Sequence, residues 1–196
     1  SGSDRTYYRI YDKQNNSYIA TVNKHVRENE TFLYFTKIGQ EAGAPVPKIL
    51  AVEESGVIYI QEDLGNETLL QVLESKGYTD EVFALFQKSL EALAKFQIRA
   101  NDIIDYSKCI TSKLFGQQAI LADLLYFKYY FLDTLHIPYD KEKLIEELEA
   151  LSNYLSHADY KGFMYRDFQS RNIMVKGDDI YFIDYQGGMQ GAIQYD

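Results

Sequence analysis

The sequence predicts an α+β fold in which a small antiparallel β lobe, residues 1–64, precedes a mainly helical lobe, residues 65–196, and three observations carry that expectation. Short Tyr- and Ile-rich runs separated by turn residues fill the opening of the chain. Apolar residues at helical spacing dominate the middle. One more short hairpin pattern stands near the end. A chain of 196 residues and 22.7 kDa has room for one ordinary domain or two small lobes. Its 46% hydrophobic and 25% charged residues provide a core to bury, which excludes a disordered chain.

Taken in order, Thr6 to Asp12 and Ser17 to Asn23 flank the polar cluster Lys13-Gln14-Asn15-Asn16, the pattern of a β-hairpin. From Glu28 to Ala42, Phe32, Phe35 and Ile38 fall at roughly helical spacing, and Gly43 with Pro45 and Pro47 supplies a stop. Lys48 to Val52 and Val57 to Gln61 are β-prone runs around the turn Glu53-Glu54-Ser55-Gly56, a second hairpin for the same antiparallel sheet. Beyond Gly65, Phe83, Phe86, Leu90, Leu93 and Phe96 make one helical stripe and Leu144, Leu148, Leu151 and Leu155 another. Glu142, Glu146 and Glu149 are read as the solvated face of that second helix, not as metal ligands. Between the stripes, Ser112 to Leu135 is helical in period and carries the aromatic block Tyr126 to Phe131, whose expected place is the core or the packing between lobes.

The formal net charge of −9 and a pI near 4.9 disfavour a phosphate-tracking nucleic-acid binder. No apolar run reaches the roughly 20 residues of a membrane span, since Asp123, Lys128 and Asp133 interrupt the best of them. One cysteine, Cys109, and three histidines allow neither a disulfide framework nor a Cys/His zinc site, and point to reducing cytoplasm. Cys109 has no neighbouring histidine and reads as a packed thiol. The chain opens at Ser1-Gly2-Ser3 and stops at Asp196 without a terminal signal, so truncation at both ends is expected. Oligomeric state is not legible.

The chemistry concentrates between Gly162 and Gly187. Asp167 stands five residues before Asn172, Ile173 to Val175 forms a short strand, Lys176-Gly177-Asp178-Asp179 turns the chain, and Ile180 to Ile183 leads back to Asp184. Such a hairpin returns Asp184 beside Asn172. An amide oxygen and a carboxylate there suit a hard cation, while Asp167 in the loop stays available to accept a proton. Phosphoryl transfer needs these parts and a phosphate cradle. Gly2 and Ser3, ahead of the first hairpin, are the candidates for that cradle, because glycine lets backbone N–H groups approach phosphate oxygens. As a bare tripeptide, Ser1-Gly2-Ser3 equally fits a flexible end.

Tyr165-Arg166-Asp167-Phe168-Gln169-Ser170-Arg171-Asn172 resembles the kinase catalytic-loop pattern H-R-D-x-x-x-x-N, and Asp184-Tyr185-Gln186-Gly187 an altered D-F-G. On these motifs the chain resembles the aminoglycoside-phosphotransferase/choline-kinase-like enzymes of the protein-kinase-like fold. Within them it looks most like the anomeric kinases of N-acetylmuramate and N-acetylglucosamine. The likeness extends to Gly2-Ser3-Asp4-Arg5 before Tyr7-Tyr8-Arg9-Ile10, to Ala44 through Leu50, to Gln61-Glu62-Asp63-Leu64-Gly65 and to Gly191 through Asp196. The resemblance implies ATP and Mg2+ as cofactors and a sugar-like small-molecule acceptor. It implies Asp167 as the catalytic base, Asn172 and Asp184 as magnesium ligands, and the main chain of Glu62 and Leu64 as the adenine-binding hinge.

Two departures matter. The strand lysine of V-A-x-K is absent, since Ile19-Ala20-Thr21-Val22 puts Val22 in its place. Lys24, two residues on, and Arg9, on the neighbouring strand, are the substitutes considered, with Glu28 or Glu30 as the helix glutamate. Tyr165 replaces the loop histidine and is expected to anchor the loop. The leading expectation is therefore an ATP-dependent kinase of a small-molecule hydroxyl, an amino sugar above others. The rivals are a nucleotide-binding pseudokinase module, which the missing lysine suggests, and an aminoglycoside-modifying kinase, which suits the acidic charge.

Overall fold

The computed structural model describes residues 5–196. Strands β1 (Thr6–Tyr11) and β2 (Ser17–Val22) pair antiparallel from Thr6 opposite Val22 to Tyr11 opposite Ser17, with the predicted polar turn between them. Helix α1 (Val26–Ala42) ends at Gly43, whose φ of 75° is the left-handed cap that glycine adopts without strain. Strands β3 (Ile49–Val52) and β4 (Ile58–Glu62) complete a four-stranded antiparallel sheet of order β1-β2-β4-β3.

Helix α2 (Leu69–Lys76) starts with a capping box: the Thr68 side chain accepts from the Gln71 amide, and the Gln71 side chain accepts from the Thr68 amide. Helices α3 (Asp80–Asn101), α4 (Gln117–Phe127) and α5 (Lys141–Ser156) build the helical part, with a single π-helical turn, Lys128–Asp133, following α4. Strands β5 (Lys161–Met164) and β8 (Met189–Ala192) pair antiparallel beneath them, as do β6 (Ile173–Lys176) and β7 (Asp179–Phe182). One buried cluster runs from Phe32, Phe35 and Tyr59 through Phe96 and Phe163 to Phe182 and Tyr185, so the sheet, α1, α3 and the late hairpin share a core. No helix among the described residues is long and apolar enough to cross a membrane.

Three expectations about packing are corrected. The buried face of α3 is Val82, Leu85, Ser89, Leu93, Phe96, Gln97 and Ala100, whereas Phe83 and Leu90 are 70% and 58% exposed. The largest apolar side chains mislead here because a small polar residue can take a core position once its hydrogen bond is made. Ser89 does so by donating to the Leu85 carbonyl at 2.8 Å. The aromatic block after Leu125 is not core either: Tyr126, Phe127, Tyr129, Tyr130 and Phe131 are all exposed. Its rings cover one another at helical spacing instead, Tyr126 with Tyr130 at 4.2 Å and Phe127 with Phe131 at 5.2 Å between centroids. On α5 only Leu148 and Ser152 are buried; Leu151 and Leu155 of the expected stripe are exposed.

Candidate active site

The loop between β5 and β6 is shaped by groups that leave its backbone little choice. Tyr165, fully buried, donates its hydroxyl to the Ile183 carbonyl, tying the loop to the far arm of the β6–β7 hairpin. The Asp196 carboxylate accepts from the Tyr165 and Arg166 amides, both at 2.7 Å, and from Gln97 Nε2 at 2.8 Å. Arg166 takes a positive φ of 79°, a left-handed conformation uncommon for a residue with a side chain, and the Asp196 carboxylate holds its amide there. Its guanidinium pairs with Asp123 at 3.1 Å, and Asp123 also accepts from the Tyr195 hydroxyl at 3.1 Å.

That framework presents Asp167, Asn172 and Asp184 as a group. Asn172 Nδ2 donates to the Asp167 carbonyl at 2.9 Å, which leaves the amide oxygen as the atom able to face a cation. The Ile183 amide donates to the Asn172 carbonyl at 3.1 Å, and this brings Asp184 alongside Asn172, as the hairpin pattern requires. Asp184 also has a positive φ, 68°, and its Oδ1 accepts from Gln186 Nε2 at 2.7 Å. Gly188 admits the turn that follows, because a Cβ there would lie 2.6 Å from the Phe163 ring. Burial first, and then the charge of Asp184, pushes the Asp167 carboxyl above its ordinary value, while Arg166 and Arg171 oppose the shift. A half-buried carboxylate of raised basicity is a better proton acceptor than a solvated one.

Asn172 and Asp184 open onto a cleft of about 380 Å³, whose other walls include Arg5, Tyr7, Ile19, Gln61, Glu62 and Leu64. Glu62 and Leu64, the residues expected to form a hinge, thus line the cleft. The segment is braced from two sides. Arg9 Nε donates to Asp63 at 2.6 Å, and Lys176 Nζ donates to the Asp63 carbonyl at 3.0 Å. Arg9 therefore braces the segment Glu62 to Leu64. Lys24 is exposed in the bend after β2 and is not among the side chains lining the cleft. Gly2 and Ser3 lie outside the described residues.

Sequence reasoning missed three groups. Arg5, Gln61 and Asp196 all lie inside the stretches of family likeness, without a role assigned to them. The signal for Arg5 was strand alternation, since it stands two residues before Tyr7, which lines the cleft. Among the described residues no three His, Cys, Asp or Glu side chains are arranged to hold a metal. The donors present, one amide oxygen and one carboxylate, fit a magnesium ion that keeps water and takes its remaining oxygens from phosphates.

A four-stranded antiparallel sheet with one helix, a helical part, and an Asp-x4-Asn loop answered by Asp184 across a hairpin define a kinase-like fold. The chain belongs to the phosphotransferase enzyme family (APH), whose profile matches residues 1–196. An N-acetylmuramate/N-acetylglucosamine kinase of Pseudomonas aeruginosa is 26% identical over 159 residues, covering 79% of this chain and 44% of that protein. The chain thus spans less than half of that relative's length. Two solved structures share the fold. The aminoglycoside phosphotransferase APH(4)-Ia, with a TM-score of 0.61 and 18% identity, covers 100% of this chain and 67% of its own. ADP-bound aminoglycoside phosphotransferase APH(2'')-Ib, with 0.61 and 17%, covers 98% and 69%.

Proposed function

We propose that the complete protein transfers the γ-phosphoryl group of ATP to a hydroxyl of a small molecule, and that the acceptor is an amino sugar. The observation that carries this reading is the convergence of Asp167, Asn172 and Asp184 beside a cleft bordered by Glu62 and Leu64. In this reading residues 1–64 are the nucleotide-binding lobe and residues 65–196 the catalytic lobe. Asn172 Oδ1 and Asp184 hold Mg2+, which when bound neutralises charge on the nucleotide phosphates. Asp167 accepts the proton of the attacking hydroxyl. The main chain of Glu62 and Leu64 takes the adenine edge, and Gly2 and Ser3 belong to the phosphate cradle. Lys24, exposed outside the cleft, takes no part.

The choice of an amino sugar is supported by the Pseudomonas aeruginosa relative, named for its action on N-acetylmuramate and N-acetylglucosamine. It is also supported by the polar groups beside the catalytic loop. Asp123 and Tyr195 line a second cavity of about 760 Å³ between α4 and α5, and Asp123 is joined to Arg166, the neighbour of Asp167. Carboxylate and phenol groups suit a polyhydroxyl acceptor.

Phosphorus NMR of the complete protein with ATP, Mg2+ and a panel of N-acetylated sugars and aminoglycosides tests the reading. A new sugar-1-phosphate resonance is the expected result. Transfer to an aminoglycoside alone overturns the amino-sugar assignment, and nucleotide binding without transfer to any acceptor overturns the kinase assignment in favour of a nucleotide-binding module.

A further inference from the structure

We infer that Arg5, held by Glu28, is the side-chain cation that receives the nucleotide's phosphates, the role filled in protein kinases by a strand lysine paired with a helix glutamate. The inference rests on the reading of the cleft as an ATP site and adds to it the residue that binds polyphosphate.

Strand alternation is the first support. Thr6 pairs with Val22, Tyr7 with Thr21, and Thr21 with Tyr59, so Tyr7, Thr21 and Tyr59 share one face of the sheet. Tyr7, Tyr59 and Gln61 line the cleft, and Arg5, two residues before Tyr7, extends the same face. Val22 and Lys24 fall on the opposite parity. The lysine position of the sequence pattern therefore points away from the cleft, and Thr21 occupies the inward site. The cation arrives from the neighbouring strand instead.

The second support is the pairing. The Arg5 guanidinium lies 3.1 Å from Glu28 Oε1, with the two side chains 3% and 19% exposed. Glu28 Oε2 accepts from Asn23 Nδ2 at 2.9 Å, so the carboxylate is fixed from both ends. Asn23 is held in turn, because Asn29 Nδ2 donates to its carbonyl at 3.0 Å. Glu30, the other candidate partner, is exposed. A charge withdrawn from water this far is tolerable only with a matched counter-charge, and a planar guanidinium can bridge a carboxylate and a phosphate at once.

Position relative to the metal ligands is the third. The Arg5 guanidinium sits over the Phe32 ring, 5.6 Å from its centroid, and Phe32 stacks on Tyr185 at 5.1 Å with the rings 9° from parallel. Tyr185 follows Asp184 directly and shares a hydrogen bond of 2.6 Å with the Thr36 hydroxyl on α1. Arg5 and Asp184 are thereby fixed on one scaffold and line the same cleft. Arg5 is the one Lys or Arg among the described residues that line it. Gln61 Oε1, buried without a hydrogen-bond partner among the described residues, belongs to a side chain lining the same cleft and marks it as built for a polar ligand.

Calorimetric titration of the complete protein with Mg2+–ATP and with adenosine separates phosphate recognition from base recognition. Arg5→Met is expected to weaken ATP about 10- to 100-fold, the scale of losing a charged hydrogen bond, and to leave adenosine within about twofold. Arg5→Lys is expected to recover part of the loss. Equal weakening of ATP and adenosine by Arg5→Met, or no weakening of ATP, overturns the assignment while the ATP-site reading stands. If circular dichroism shows Arg5→Met to be unfolded, Arg5→Lys and Glu28→Gln carry the test. Each is then expected to weaken ATP selectively, and wild-type ATP affinity and turnover in both overturns the inference. A wild-type protein that binds neither ATP nor adenosine overturns the ATP-site reading itself.

Discussion

The loop and hairpin from Tyr165 to Gly187 and the helical stretch from Gln117 to Ser156 belong to one chain and are built on opposite principles. In the first, the groups that set the course of the loop are tied: Tyr165 to Ile183, the Tyr165 and Arg166 amides to Asp196, the Asn172 amide nitrogen to the Asp167 carbonyl, and Gln186 to Asp184. In the second, the rings from Tyr126 to Phe131 face outward, and Ile120 and Leu155 give an apolar side to the cavity that Asp123 also lines. A site that must place three oxygen-bearing side chains to within tenths of an ångström needs redundant ties. A surface needs only to be soluble or covered. The contrast predicts that substitutions in the first region act on chemistry and stability together, and that those among the outward-facing rings of the second act weakly.

The largest effect is expected from Asp167→Asn. Removing the proposed proton acceptor while keeping the shape should lower turnover of the complete protein by about 10²-fold or more, with ATP affinity within about twofold. Steady-state kinetics beside calorimetry reads both, and undiminished turnover would remove Asp167 from the reaction. Next is Asn172→Ala. It deletes the amide oxygen offered to the cation and the donor that ties the Asp167 carbonyl. The Mg2+ concentration for half-maximal turnover should rise about 10- to 100-fold, the usual cost of disturbing a metal's surroundings. An unchanged Mg2+ requirement would mean that the amide only braces the loop.

How much of this is legible in the sequence depends on whether the information is local. The spacing of Asp167 to Asn172 and the turn Lys176 to Asp179 are local, and the hairpin and the neighbourhood of Asp184 follow from them alone. The sheet is legible too, since the polar turns at Lys13 to Asn16 and at Glu53 to Gly56 punctuate it. The Arg5–Glu28 pair is not, because it joins a strand entrance to a helix start through register, and a one-residue shift in register exchanges cleft and solvent faces. The Asp196 clamp is hidden for a similar reason: 30 residues separate its carboxylate from the Arg166 amide. On α3, hydrophobicity favours Phe83 and Leu90, while the fold buries Ser89 and Gln97 with their hydrogen bonds made.

Tyr165→Phe sharpens the comparison by removing a single atom. The Ile183 carbonyl loses its phenolic donor in a fully buried setting, which should cost about 1–3 kcal/mol and lower the melting temperature by several degrees in a chain of this size. An unchanged melting temperature would show that the tie between loop and hairpin is redundant. In the other region the corresponding tie is the turn after α4. There Asp133 accepts from the Tyr139 hydroxyl and from Lys128 Nζ at 2.9 Å, and these hydrogen bonds, that from Tyr139 first, hold its carboxyl below the ordinary range. A folded-state value below the unfolded one gives stability that is present at neutral pH and is lost as pH falls through the folded value. Protection of the amides in the Lys128–Asp133 turn, relative to their intrinsic exchange at each pH, should therefore fall only below about pH 4. Asp133→Asn should make the turn open faster at neutral pH and flatten that dependence. Protection that does not change with acid in the unsubstituted chain would mean that the turn is held by its rings.

The smallest effect is expected at those rings. Tyr130 is 67% exposed and stacks on Tyr126 four residues earlier, a contact already available within one helical turn. Because little apolar surface leaves water when this pair forms, Tyr130→Ser should change the stability of the 196-residue chain by no more than about 0.5 kcal/mol. Denaturant titration of this chain measures that directly, and the same substitution in a longer form of the protein provides the control. A loss of about 1.5 kcal/mol or more in the shorter chain would mean that the ring is packed as core residues are packed, and the contrast between a tied catalytic region and an open helical face would fail where it is most exposed. A loss confined to the longer form would place the cover of these rings in residues beyond Asp196 or before Ser1, and would leave the contrast within this chain intact.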